Sequence, residues 1–136
     1  MTGDERAARA DRLARANELL QVIASCGRQF FSYRGRVARI EQDGRMRLWF
    51  RDAYTDQLVY THYRGRWRRF TGGGTNRDLI RDLCRFVRTG TAVPSARFGP
   101  WPAWICNGDL WGYGEDMKQV RDAAERLGII RRKPRP

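Results

Sequence analysis

The sequence predicts an α+β domain: an N-terminal helix, an antiparallel meander of four to five strands, and two C-terminal helices joined by a Trp/Pro/Gly-rich loop. Three observations carry that expectation. Apolar residues recur at helical spacing over 4–26, the period changes to two from Arg28, and a triple glycine at 72–74 opens onto a second helical stretch. The 136 residues are one domain's worth of chain. Residues 1–130 read as a single compact domain and 131–136 as a basic flexible tail.

The first helix has Leu13, Ala16, Leu19, Leu20 and Ile23 as its core stripe, Asp4 and Glu5 in its first turn, and Gly27 as a stop. Arg6, Arg9, Arg12 and Arg15 lie among balancing acids, which predicts a solvated face with pairs three and four residues apart. QFFSY and RVARIE then read as strands turned at Arg34-Gly35, and Asp43-Gly44 is a strong hairpin signal. In MRLWF, Met46, Leu48 and Phe50 share one face while Arg47, Trp49 and Arg51 share the other, the wet candidate. QLVYTHY follows, and Arg64-Gly65 turns the chain into RWRRF as a last strand. The second helix, about 76–89, takes a capping box from Thr75 and Asp78. Its core stripe is Leu79, Ile80, Leu83, Cys84, Phe86 and Val87; Arg77, Arg81, Arg85 and Arg88 lie opposite, partly neutralised by Asp78 and Asp82. Residues 91–113 form a long loop. The final helix, about 114–127, turns Met117, Val120, Ala124 and Leu127 inward, with Ile129 and Ile130 pinning its end.

Charge points to a partner. The net charge is +12, and residues 28–69 hold eleven arginines against only Glu41, Asp43, Asp52 and Asp56. A coding bias explains arginine over lysine, but not positive over negative. A localised basic excess is the footprint of a polyanion. Arg47, Trp49, Arg51, Arg66, Trp67, Arg68 and Arg69 interleave guanidinium groups with rings that stack on bases. Gly72, Gly73 and Gly74 place unpaired N–H groups at a helix start, flanked by Arg77 and Arg81. The turn lacks the lysine of a nucleotide-hydrolysing P-loop, and the RNP sequences of sheet-based RNA binders are not present.

These residues predict a non-catalytic nucleic-acid-binding protein that contacts DNA or RNA through phosphate and shape. The bland alternatives are a flexible turn at the glycines, and aromatics that pack in the core under arginine stems. A different class competes as well: a small interaction or inhibitor protein, of the kind carried by phages or mobile elements. It would dock on a protein or nucleoprotein complex through Trp101, Trp104, Trp111 and Tyr113, unless those rings instead close a lid over the core.

Catalysis finds little support. His62 is the single histidine, the three cysteines show no CxxC spacing, and Asp52 and Asp56 with Glu41 lack a neighbouring lysine. No cofactor or metal site is therefore expected. No apolar run reaches the roughly 18 residues that span a bilayer, and the charged N-terminal stretch lacks the core of a secretory signal. The expectation is a cytoplasmic, reducing environment.

Overall fold

Helix α1 (Gly3–Ala24) is the surface on which the other elements assemble: α2 (Gly74–Thr89), α3 (Glu115–Arg126) and strand β3 (Arg39–Gln42) all pack against it. The computed structural model describes residues 1–99, 104 and 110–131. Thr2 caps α1, its hydroxyl accepting from the Glu5 N–H at 3.1 Å. The predicted stripe of Ala16, Leu19, Leu20 and Ile23 is fully buried, while Leu13 packs at its margin.

The meander forms two small antiparallel sheets. β1 (Ser32–Tyr33) pairs with β2 (Arg36–Val37) around Arg34-Gly35, both at positive φ. β3, β4 (Leu48–Arg51) and β5 (Leu58–Tyr60) form the larger sheet in that order, with Ile40 opposite Phe50 and Phe50 opposite Val59. These three residues are buried with Leu48, so the alternation expected of the strands holds. Along the free edge of β3, the Asn17 side chain acts as a partner strand. Its Nδ2 donates to the Ile40 carbonyl at 2.9 Å, and its Oδ1 accepts from the Ile40 N–H at 2.7 Å. That contact satisfies an edge that otherwise invites pairing with another chain.

Four expectations need correction. RWRRF is not a strand: residues 64–69 form turns that cross the N-terminal half of α2. The Thr75–Asp78 box is not formed, because α2 begins two residues earlier with Gly73 as its uncapped N-cap. Asp78 and Asp82 turn away from Arg81 and Arg85 to Arg97, at 3.8 and 2.7 Å.

The fourth correction concerns α1. Arg9 is buried; its Nε donates to Gln42 Oε1 at 2.8 Å and its Nη2 to the Met46 carbonyl. Arg12 donates to the Val87 carbonyl at 2.9 Å and Arg15 to the Leu127 carbonyl at 3.1 Å. Arg12 and Arg15 close the carbonyl-rich ends of α2 and α3, where a cation also meets the negative end of the macrodipole. Arg15 also keeps the expected local pair, meeting Asp11 four residues back at 2.9 Å.

The loop between α2 and α3 divides its aromatics. A 3₁₀ turn at Ser95–Phe98 buries Phe98, and Trp111 is fully buried with its indole N–H on the Arg97 carbonyl at 3.1 Å. Phe31 stacks against Trp111 and Phe30 meets it edge-on, near 6 Å in both pairs. Trp104, by contrast, is 83% exposed and Tyr113 is exposed. Trp101 and the tail from 132 onwards lie outside the described residues. The lid reading therefore holds for Trp111 and fails for Trp104. Trp111→Ala is expected to lose about 3–5 kcal/mol in chemical denaturation, whereas Trp104→Ala should stay within about 0.5 kcal/mol of wild type.

Candidate nucleic-acid interface

The site begins with one carboxylate. Asp52, just past β4, is buried at 3% exposure. It accepts from the Tyr54 N–H at 2.9 Å, the Thr71 N–H at 2.9 Å and the Thr71 hydroxyl at 2.8 Å. One end of the sheet is thereby tied to the residue that precedes Gly72-Gly73-Gly74. Sequence reading singled out Asp52 only as a conceivable metal ligand. Among the described residues no group of three His, Cys, Asp or Glu side chains could hold a metal ion.

From that anchor the chain places the arginines in two groups. On the strands they are paired. Arg47 Nε meets Asp43 at 2.7 Å, Arg39 Nε meets Glu41 at 2.8 Å, and Arg51 meets Glu41 at 2.5 Å and Asp56 at 3.7 Å. The wet face is confirmed as outward, but its charge is largely spent on neighbours. Trp49 is half-buried, with its indole N–H on Asp43 at 2.9 Å.

The turns at 64–69 differ. Arg64, Arg66, Arg68 and Arg69 are exposed, and among the described residues none of them meets a carboxylate. Arg77 and Arg81 support this segment from below. Arg81 Nη2 donates to the carbonyls of Tyr63 and Arg64 at 3.0 and 2.9 Å, and Arg77 Nη1 to that of Gly65 at 3.4 Å. A carbonyl partner orients a guanidinium without cancelling its charge.

Trp67 departs most from the expectation. It is 3% exposed, packed edge-on to Phe70 at 5.4 Å, with Arg81 over its ring at 5.5 Å. Its ring belongs to the core, and the open rings lie elsewhere. Trp49 and Tyr60 are 4.9 Å apart, and Tyr60 continues to His62 at 5.0 Å and to exposed Tyr63 at 5.2 Å. Sequence reading passed over Tyr60, although its alternation with Val59 on β5 marked it as outward. Trp49, Tyr60 and Tyr63 line a hollow of about 150 Å³ with Arg68 and Arg69. A second hollow, of about 230 Å³, is lined by Arg66, Arg77 and the three glycines.

A family described as YoqU matches residues 6–135, nearly the whole chain. The chain belongs to the YoqU family. No curated protein and no solved structure matches it. In this YoqU-family chain, then, function has to be read from the site. No helix among the described residues is long and apolar enough to cross a membrane.

The carboxylates at the sheet set an acid limit. Glu41 sits below its ordinary value of 4.5, chiefly through the Arg51 hydrogen bond. Asp43 is held well below its ordinary 3.8, first by the Trp49 indole and then by the Arg47 backbone and side chain. Both folded values lie below the unfolded ones, so the folded state binds fewer protons in acid. Their contribution is complete above about pH 5 and is lost as the pH falls through the folded values. Thermal melts should show Tm falling from about pH 5 towards pH 2, with a shallower fall in the Glu41→Gln/Asp43→Asn double variant. His62 is pushed the other way from a salt-bridged histidine: partial desolvation, then Arg88, Arg9 and Arg47, lower its pKa, so it is neutral at pH 7.

Proposed function

We propose that this chain is a non-catalytic nucleic-acid-binding protein, and that its phosphate-contacting surface is the arginine segment at 64–69 with the glycine turn and the start of α2. The observation that carries this reading is the contrast between the two groups of arginines. Those on or beside β3 and β4 are matched by Glu41, Asp43 and Asp56, whereas Arg64, Arg66, Arg68 and Arg69 stand exposed beside one another with no acid among the described residues. Holding like charges together costs folding free energy unless an anion offsets it, and a phosphate backbone is a ligand of that form. The Trp49–Tyr60–Tyr63 rings beside Arg68 and Arg69 add a stacking surface suited to unpaired bases. Single strands fit this arrangement better than duplex DNA, since the exposed arginines at 64–69 lie on turns beside open rings that can stack on unpaired bases.

Fluorescence anisotropy with random single-stranded oligonucleotides tests the reading. The plot of log Kobs against log salt should have a slope of about −3, as for roughly four phosphates neutralised on a single strand. Arg68→Glu/Arg69→Glu should weaken binding by about tenfold or more, irrespective of sequence, and flatten that slope. A salt-independent or undetectable interaction would remove the proposal.

One observation favours a second reading, a phage- or mobile-element-type interaction protein. Trp104 is 83% exposed in a loop whose other described indole is buried, and an indole in water is a natural anchor for a protein partner. Trp104→Ala separates the two. It leaves oligonucleotide affinity unchanged under the first reading and removes stoichiometric association with a protein under the second.

A further inference from the structure

Gly72 and Gly73 border a third hollow, of about 290 Å³, that reaches from the glycine turn to the β1–β2 hairpin. Building on the nucleic-acid reading above, we propose that it receives one unstacked nucleobase, whose phosphate rests on the turn beside Arg66 and Arg77.

The lining supports that occupant. Phe30, Phe31, Phe50 and Phe70 supply aromatic walls, and Tyr54 stands at the rim. Phe50 is 2% exposed while the other three phenylalanines remain partly open, so ring surface faces the hollow without being sealed from solvent. Flat heterocycles favour such walls. The size is at the small end of ligand pockets, which run roughly 300–1,000 Å³, and suits a single ring system.

Arg28, Gln29, Ser32, Asp52, Thr71 and Asn76 supply the polar part of the lining. The Asp52 oxygens are already engaged by Thr71 and the Tyr54 N–H. Asn76, in the first turn of α2, is half-buried, and its side-chain amide makes no hydrogen bond among the described residues. An amide presents a donor and an acceptor side by side, the pattern that complements a base edge.

Charge and backbone agree with this placement. Gly72 and Gly73 also line the arginine-bordered hollow of about 230 Å³, so the two hollows adjoin at the glycine turn. No side chain caps α2, and its first-turn N–H groups remain open to an oxygen ligand. On the opposite wall, Phe31 is held at φ 63° and Gln29 at φ 51°. Strain of that kind in a bulky residue persists only where the surroundings enforce it, and it gathers at ligand clamps.

The test uses the full chain and labelled single strands of equal charge: a deoxyadenosine dodecamer, and a dodecamer of abasic residues. Wild type should bind the first about tenfold more tightly than the second, the scale of one or two stacked bases. Asn76→Phe, which fills the hollow, should bring the ratio of the two affinities to about one, each strand being compared within that variant because Asn76 also borders the phosphate surface. Adenosine 5′-monophosphate should displace the strand at concentrations where ribose 5-phosphate does not; that competition needs no variant to fold. Equal affinity for both dodecamers overturns the base pocket while leaving the phosphate interface standing. A base preference that survives in folded Asn76→Phe also overturns the pocket, and assigns the stacking to Trp49 and Tyr60. Failure of both strands to bind ends the nucleic-acid reading itself.

Discussion

The Asp52 carboxylate decides where the glycine turn lies. It leaves the end of β4 buried, takes the Tyr54 N–H on one side, and takes both the N–H and the hydroxyl of Thr71 on the other. A buried carboxylate without such donors would be costly, while one accepting several N–H and O–H groups is stable in place. Through it, the position of α2's N-terminus follows the sheet rather than the flexibility of three successive glycines. Both hollows bordered by Gly72 and Gly73 inherit their geometry from that single bond network.

The arginines show how one residue type serves two purposes in the same fold. Those of α1 and those beneath the 64–69 turns donate to backbone carbonyls, which orients them and satisfies oxygens that helix ends and turns leave open. Those on the strands meet carboxylates, which lowers the charge of the sheet. The distinction matters for electrostatics. A carbonyl-bound guanidinium still contributes its full charge to the surface potential, and along 64–69 no carboxylate among the described residues offsets the exposed arginines.

Much of the fold was legible from the sequence because periodicity reports which face is apolar. The buried residues of α1, α2, α3 and β4 follow the alternation that predicts them. Legibility failed where long-range partners decide the outcome. Arg9 and Arg12 look solvated beside their own acids, yet their partners lie 33 and 75 residues further along the chain. Trp67 enters the expected stacking surface because RWRRF reads as a strand that interleaves it with arginines. The segment is a pair of turns, where alternation carries no meaning, and Arg81 and Phe70 close around the ring. At the site, the glycines and the basic run were readable, whereas the pairing of Arg47 and Arg51 depended on register. The β3–β4 alignment sets Arg39 opposite Arg51 and Glu41 opposite Trp49, so that one carboxylate reaches both Arg39 and Arg51.

The arginine clamps of α1 also bear on how the chain is made. The first helix emerges from the ribosome with Ala16, Leu19, Leu20 and Ile23 uncovered, and the carbonyl that Arg15 engages belongs to Leu127. At synthesis rates of about 5–20 residues per second, that helix waits on the order of ten seconds for its last partner. Closure of the core is thus a late event in biosynthesis, and the nascent helix is a natural client for whatever shields apolar surfaces at the ribosomal exit.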